Sequence, residues 1–373
     1  MSYLSIDTLQ KVLSEEVFSH TEASKKAAGR ALGTMIEIIS FYLLKEWGIE
    51  KHISIERGLE EYGNPVITHN VEFTLHPFVS EKQIKIPFNT AITANKITKS
   101  LNLGENFTIK SNTLLTKDFT LKNACVIAEN ESTILLSKVN NIANDEATLT
   151  VFQQMKKPYA MFECKRVGVE EGNKKGPQTI EKVKQGAYVA KTISSLQKIR
   201  DNQGNMCGLI FDNSNAIIKP YSEMLQFIIN GENKNLLKDF TLSVGIVSNH
   251  GNWFTSQDQN KELKVLAQSY DWLLFLTDDG LAQFVSDLLL NPPSCYKVIQ
   301  KAFHDSYKEG KKSNVFTKVK MNYDAHLALI DYFHKNIGRI EKWFNIITPE
   351  YASIENLKKD LSTLNQKDWK EIL

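Results

Sequence analysis

The chain has 373 residues, 42% hydrophobic and 24% charged, with a formal net charge of +2. That composition belongs to a globular chain large enough for one big domain or for a core with an appendage, and it excludes a disordered or collagen-like protein. No run of eighteen apolar residues occurs, the opening MSYLSIDTLQKVLSEE lacks a secretory pattern, and four cysteines at 125, 164, 207 and 295 form neither a zinc spacing nor a disulfide framework. A cytoplasmic protein with reduced thiols and no membrane association is the expectation.

From Ser24 to Trp47, apolar residues recur at helical spacing and Gly48 follows as a stop, so a long helix is predicted there. Glu37 sits inside its apolar stretch, where a carboxylate needs solvent, a partner or a metal. Residues 64–92 and 106–140 alternate in short β-prone runs separated by Asn and Lys turns, which predicts a β-rich meander. Asp145–Phe152 and Tyr159–Lys165 read as a hairpin turning at Lys156-Lys157-Pro158. A polar loop from Gly168 to Gly176 leads to a helix predicted over Thr179–Arg200. Strands at Met206–Phe211, Phe240–Val247 and Trp272–Leu276 then alternate with helices at Tyr221–Ile229, Asp258–Ser269 and Leu281–Leu290, which is an α/β pattern. Asn291-Pro292-Pro293 marks a boundary. It divides a core over 1–291 from a mostly helical C-terminal region over 292–373, whose aromatic stripe suits packing, dimerisation or DNA contact.

Glu163-Cys164-Lys165 is the stretch most suggestive of chemistry. Strand side chains alternate, so an acid and a lysine two apart share one face. Such a pair suits phosphodiester cleavage, with the acid holding Mg²⁺ and the lysine steadying water or developing charge. Acid-x-Lys occurs five times here, at Glu163, Glu232, Glu262, Glu309 and Asp368, but only Glu163 follows a strand-like apolar run. Its surroundings are basic: residues 156–200 carry eleven Lys or Arg against four Glu, so the rest of the chain is net negative. A focus of that sign attracts a polyanion such as DNA. No GxGxxG or P-loop pattern is present, so no nucleotide cofactor is expected. His250 reads as part of a polar loop, and the seven-residue gap between His69 and His76 argues against a shared metal.

The segment Ala160–Arg200, AMFECKRVGVEEGNKKGPQTIEKVKQGAYVAKTISSLQKIR, resembles the catalytic region of type II restriction endonucleases of the PD-(D/E)xK nuclease superfamily. The resemblance implies a mixed β-sheet flanked by helices, and Mg²⁺-dependent, site-specific cleavage of double-stranded DNA to 5′-phosphate and 3′-hydroxyl ends. It assigns Asp145 as the first metal acid, with Glu146 as the alternative, Glu163 as the second, and Lys165 as the catalytic lysine. Glu37 becomes the additional helix glutamate, and the Cys164 backbone carbonyl a further metal ligand. Arg166, Lys174, Lys175, Lys182, Lys184 and Gln185 become DNA contacts, with Gln185 and Tyr188 on one helix face. Cutting both strands of a palindrome implies a homodimer. A repair or end-processing nuclease of the same superfamily, and a DNA-binding protein without catalysis, are the rival readings.

Overall fold

Strands drawn from along the chain build a six-stranded mixed sheet whose spatial order follows chain order: β1 (Ile53–Arg57), β2 (Val71–Leu75), β3 (Ala160–Arg166), β4 (Leu242–Ser248), β5 (Trp272–Leu276) and β6 (Phe344–Thr348). β2 runs antiparallel to β3, β4 and β5 run parallel to it in turn, and β6 closes the sheet antiparallel to β5. The parallel pair β3/β4 needs a crossover, and the helix Gln178–Ile193 lies within it. β2, β4 and β5 are buried along their whole length, as expected for strands covered on both faces. This computed structural model describes residues 6–19, 24–166, 178–248, 266–307 and 314–373.

The chain divides into two compact units that interleave in sequence. The first comprises residues 1–55, 76–157 and 279–340; the second comprises 56–75, 158–278 and 341–373. The break expected after residue 291 therefore does not separate them. Residues 292–340 belong with the first unit and 341–373 with the second. The C-terminal aromatics are largely core, with Phe303, Tyr332 and Phe333 buried in the first unit and Trp343 and Phe344 in the second.

The first unit holds an antiparallel five-stranded sheet in the order Phe78–Pro87, Glu146–Met155, Thr133–Ala143, Cys125–Glu129, Thr108–Ile109. The predicted N-terminal helix is present over Ser24–Glu46. It is long and apolar enough to cross a bilayer, but twelve of its residues are buried inside the protein.

The expected catalytic hairpin is not formed. Glu146–Met155 pairs with Thr133–Ala143 and Phe78–Pro87, while β3 pairs with β2 and β4, so the two strands belong to different sheets. The predicted helix over Thr179–Arg200 also ends early, at Ile193, and Gln197–Arg200 becomes the edge strand of a small sheet with Met206–Asp212 and Asn215–Pro220.

Candidate active site

On β3, alternation puts Met161, Glu163 and Lys165 on one face. Met161 packs with Ala187, Ala190 and Ile193 of the crossover helix, so this is the face the helix covers. β2 pairs Thr74 with Met161 and Phe73 with Phe162. One residue further in the same register brings Glu72 opposite Glu163, on the same side of the sheet. Like charges directly across a ladder repel, and Lys165 resolves the conflict. Its Nζ lies 2.9 Å from Glu72 Oε1 and 3.2 Å from Glu163 Oε2. The side chains of Glu163, Glu72 and Lys165 are 0%, 8% and 17% exposed, so the lysine is the most accessible of the three.

Glu163 is enclosed by close approach. Its ladder partner on β4 is Gly245, and Gly186 of the crossover helix sits above it. A Cβ on Gly186 would come within 2.6 Å of Glu163 Cγ and 2.7 Å of the Tyr270 hydroxyl; one on Gly245 would meet the Tyr270 ring at 2.7 Å. The two glycines thus admit the Tyr270 ring and the Glu163 carboxylate into one small space. Burial first, and the negative charge of Glu163 second, push the Tyr270 hydroxyl well above its ordinary pKa, so it stays protonated. Lys198 holds the backbone oxygen of Tyr270, and burial lowers that lysine to about 8. On the remaining side, His69 Nε2 lies 3.1 Å from Glu163 Oε1, with the histidine 25% exposed.

The residues expected from the sequence separate cleanly. Glu163 and Lys165 come together as predicted. Asp145 belongs to the first unit, where Asn144 and Asp145, at φ of 51° and 58°, are the two central residues of the tight turn between Thr133–Ala143 and Glu146–Met155. A two-residue hairpin turn of this kind requires positive φ at both positions, which Asn and Asp tolerate. Glu146 pairs with Lys85 at 3.2 Å, both solvent-exposed. Glu37 is also in the first unit, where it accepts a hydrogen bond from the buried Lys318 at 2.9 Å; neutralising that ammonium accounts for an acid in an apolar helix. Cys164 is buried and its side chain faces away from Glu163. Arg166 ends β3, half-buried. Lys174 and Lys175 lie outside the described residues, as does His250. Lys182, Lys184 and Gln185 fall on the crossover helix with side chains outside the described set, and Tyr188 is exposed.

Two residues were missed. Glu72 is the acid that lies beside Lys165, and His69 flanks Glu163. The signal for Glu72 was present in Val71-Glu72-Phe73-Thr74-Leu75, a strand-like run carrying one acid, but the segment 76–157 separates it from its partner strand.

The donors fit a hard divalent cation. Glu72 and Glu163 offer carboxylate oxygens from adjacent strands, and the buried Glu163 Oε2 has an ion-pair contact with Lys165 but no hydrogen bond among the described residues. Mg²⁺ takes one or two carboxylates and keeps several waters. Among the described residues no three His, Cys, Asp or Glu side chains are grouped to cage a metal, so a site here rests on these two carboxylates and water. No protein-family model, no curated protein and no solved structure matches this chain.

Proposed function

We propose that the protein is a Mg²⁺-dependent endonuclease that cuts double-stranded DNA at specific sites, with Glu72, Glu163 and Lys165 as its catalytic residues. The observation that carries this reading is one lysine ammonium lying between two buried carboxylates from adjacent strands. Glu72 and Glu163 would hold the ion, which would supply Lewis-acid polarisation of the scissile phosphate and a more acidic water. Lys165, the most accessible of the three, orients the attacking water and offsets charge building on the phosphate oxygens. Tyr270, with Gly186 and Gly245, fixes the Glu163 carboxylate, and His69 holds its other oxygen. The basic surroundings of β3 draw the DNA backbone in. In-line attack of water leaves a 5′-phosphate and a 3′-hydroxyl. A two-fold homodimer presents two such sites to a palindrome.

Incubating the purified protein with phage and plasmid DNA in Mg²⁺ tests the reading. Discrete fragments bearing 5′-phosphates are expected. A smear would move the protein to nonspecific repair or end processing, and intact DNA would contradict the proposal.

A further inference from the structure

The first unit contains a cavity of about 310 Å³ that the nuclease reading does not use. At its polar side Glu50 joins two lysines: Lys45 bonds one carboxylate oxygen, and Lys138 Nζ lies 2.6 Å from the other. Each ammonium also lies near an aromatic ring, Lys45 at 5.5 Å from the centre of Phe41 and Lys138 at 5.5 Å from that of Phe152. The Tyr42 hydroxyl and His326 Nδ1 form a buried hydrogen bond of 2.7 Å behind them. Aliphatic side chains, Leu121, Leu136 and Ile330 among them, complete the lining.

Charge in this cavity is uneven. Two ammoniums share the single Glu50 carboxylate, and a third lysine of the lining, Lys122, is held by the neutral Asn112 at 2.6 Å. The other acid, Glu46, lies 3.2 Å from His334 and also acts electrostatically on Lys45. Lys45 is largely enclosed, while Glu50 and Lys138 keep 29% and 37% of their side chains exposed, so the charges line a cavity that solvent or a ligand can reach. Burial lowers the Lys45 pKa even though Glu50 opposes it, while Lys45 and then Lys138, against burial, hold the Glu50 carboxyl down at about 2. The lining thus carries three lysines against two carboxylates. Perturbed charged groups gathered in a cavity make it a candidate binding site. An anion placed at the lysines would lay the rest of its molecule on the Phe41 and Phe152 rings. The volume is at the small end of ligand pockets, about 300–1,000 Å³.

We propose that this cavity binds a small phosphate monoester carrying a ring, of nucleoside-monophosphate size, with Lys45 and Lys138 on the phosphate and Phe41 and Phe152 against the ring. The same chemistry is offered by a free nucleotide and by the 5′-phosphate end of a nucleic acid strand. Calorimetric titration of the full chain with AMP and dCMP, the matching nucleosides, inorganic phosphate, and trinucleotides with and without a 5′-phosphate tests this.

The monophosphates are expected to bind at one site per chain, at least tenfold tighter than nucleosides or inorganic phosphate. Lys138→Met should weaken binding tenfold or more. Glu50→Gln, which removes the competing carboxylate, should tighten it. Glu163→Gln should leave it unchanged, so that failure here and failure of the nuclease reading are told apart. Binding of the 5′-phosphorylated trinucleotide would identify strand ends as the source, and its failure beside AMP binding would identify free nucleotides. No binding by any monophosphate, equal binding by inorganic phosphate, or unchanged binding by a Lys138→Met protein with native circular dichroism would overturn the proposal.

Discussion

Replacing Glu163 by glutamine is expected to reduce Mg²⁺-dependent DNA cleavage by about 10³-fold, while DNA binding in Ca²⁺ persists. The substitution keeps volume and shape, so Tyr270, Gly186 and Gly245 still fit around it. What changes is charge. A neutral amide is a poor ligand for a hard cation and a poor partner for Lys165, which lies 3.2 Å away. Loss of several kcal/mol of transition-state stabilisation corresponds to that factor, at about 1.4 kcal/mol per tenfold. Single-turnover cleavage, read beside a gel-shift in Ca²⁺, checks it. A variant within threefold of wild type would remove Glu163 from the chemistry, and one that no longer bound DNA would assign it to binding.

The second large effect is expected at Gly186. Alanine is the better helix former by about 1 kcal/mol, so a mid-helix glycine normally stabilises when replaced. Here the added methyl would stand 2.6 Å from Glu163 Cγ and 2.7 Å from the Tyr270 hydroxyl. Both contacts are on buried side chains with little room to yield, and overpacking of this kind costs about 1–3 kcal/mol. The steric term outweighs the propensity gain. Gly186→Ala should therefore lower stability by about 1 kcal/mol and, by displacing the carboxylate, lower cleavage by about 10²-fold. Denaturant unfolding and cleavage rates measured on the same preparation test this. A stabilised, fully active variant would show that the close approach does not hold Glu163 in place.

These expectations separate what the sequence made legible from what it did not. Glu163 and Lys165 were readable because their relation is local: two positions on one strand, fixed by alternation alone. The helix Ser24–Glu46 and the strand Trp272–Leu276 were readable for the same reason. The first acid was not local. Strands consecutive in sequence pair about two-thirds of the time, and that preference chose Asp145, eighteen residues from Glu163. In the structure β2 and β3 are neighbours separated in sequence by a whole segment of the first unit. No local pattern announces such an interruption. Asn144-Asp145 carried the opposite signal, a tight-turn dipeptide.

The helix Gln178–Ile193 was overextended because Gln197–Arg200 has no strong strand pattern of its own and acquires strand structure by pairing with Met206–Asp212. The boundary at Asn291-Pro292-Pro293 is a real break in regular structure, yet the units are set by long-range contacts that cross it.

Glu72, rather than Asp145, is expected to complete the site. Cleavage by Glu72→Gln and Asp145→Asn, assayed side by side on the same DNA in Mg²⁺, tests it most directly. Glu72→Gln is expected to lose activity about as severely as Glu163→Gln, and Asp145→Asn, a change any tight turn accommodates, to cut at the wild-type rate. Full activity in Glu72→Gln together with loss in Asp145→Asn would contradict it.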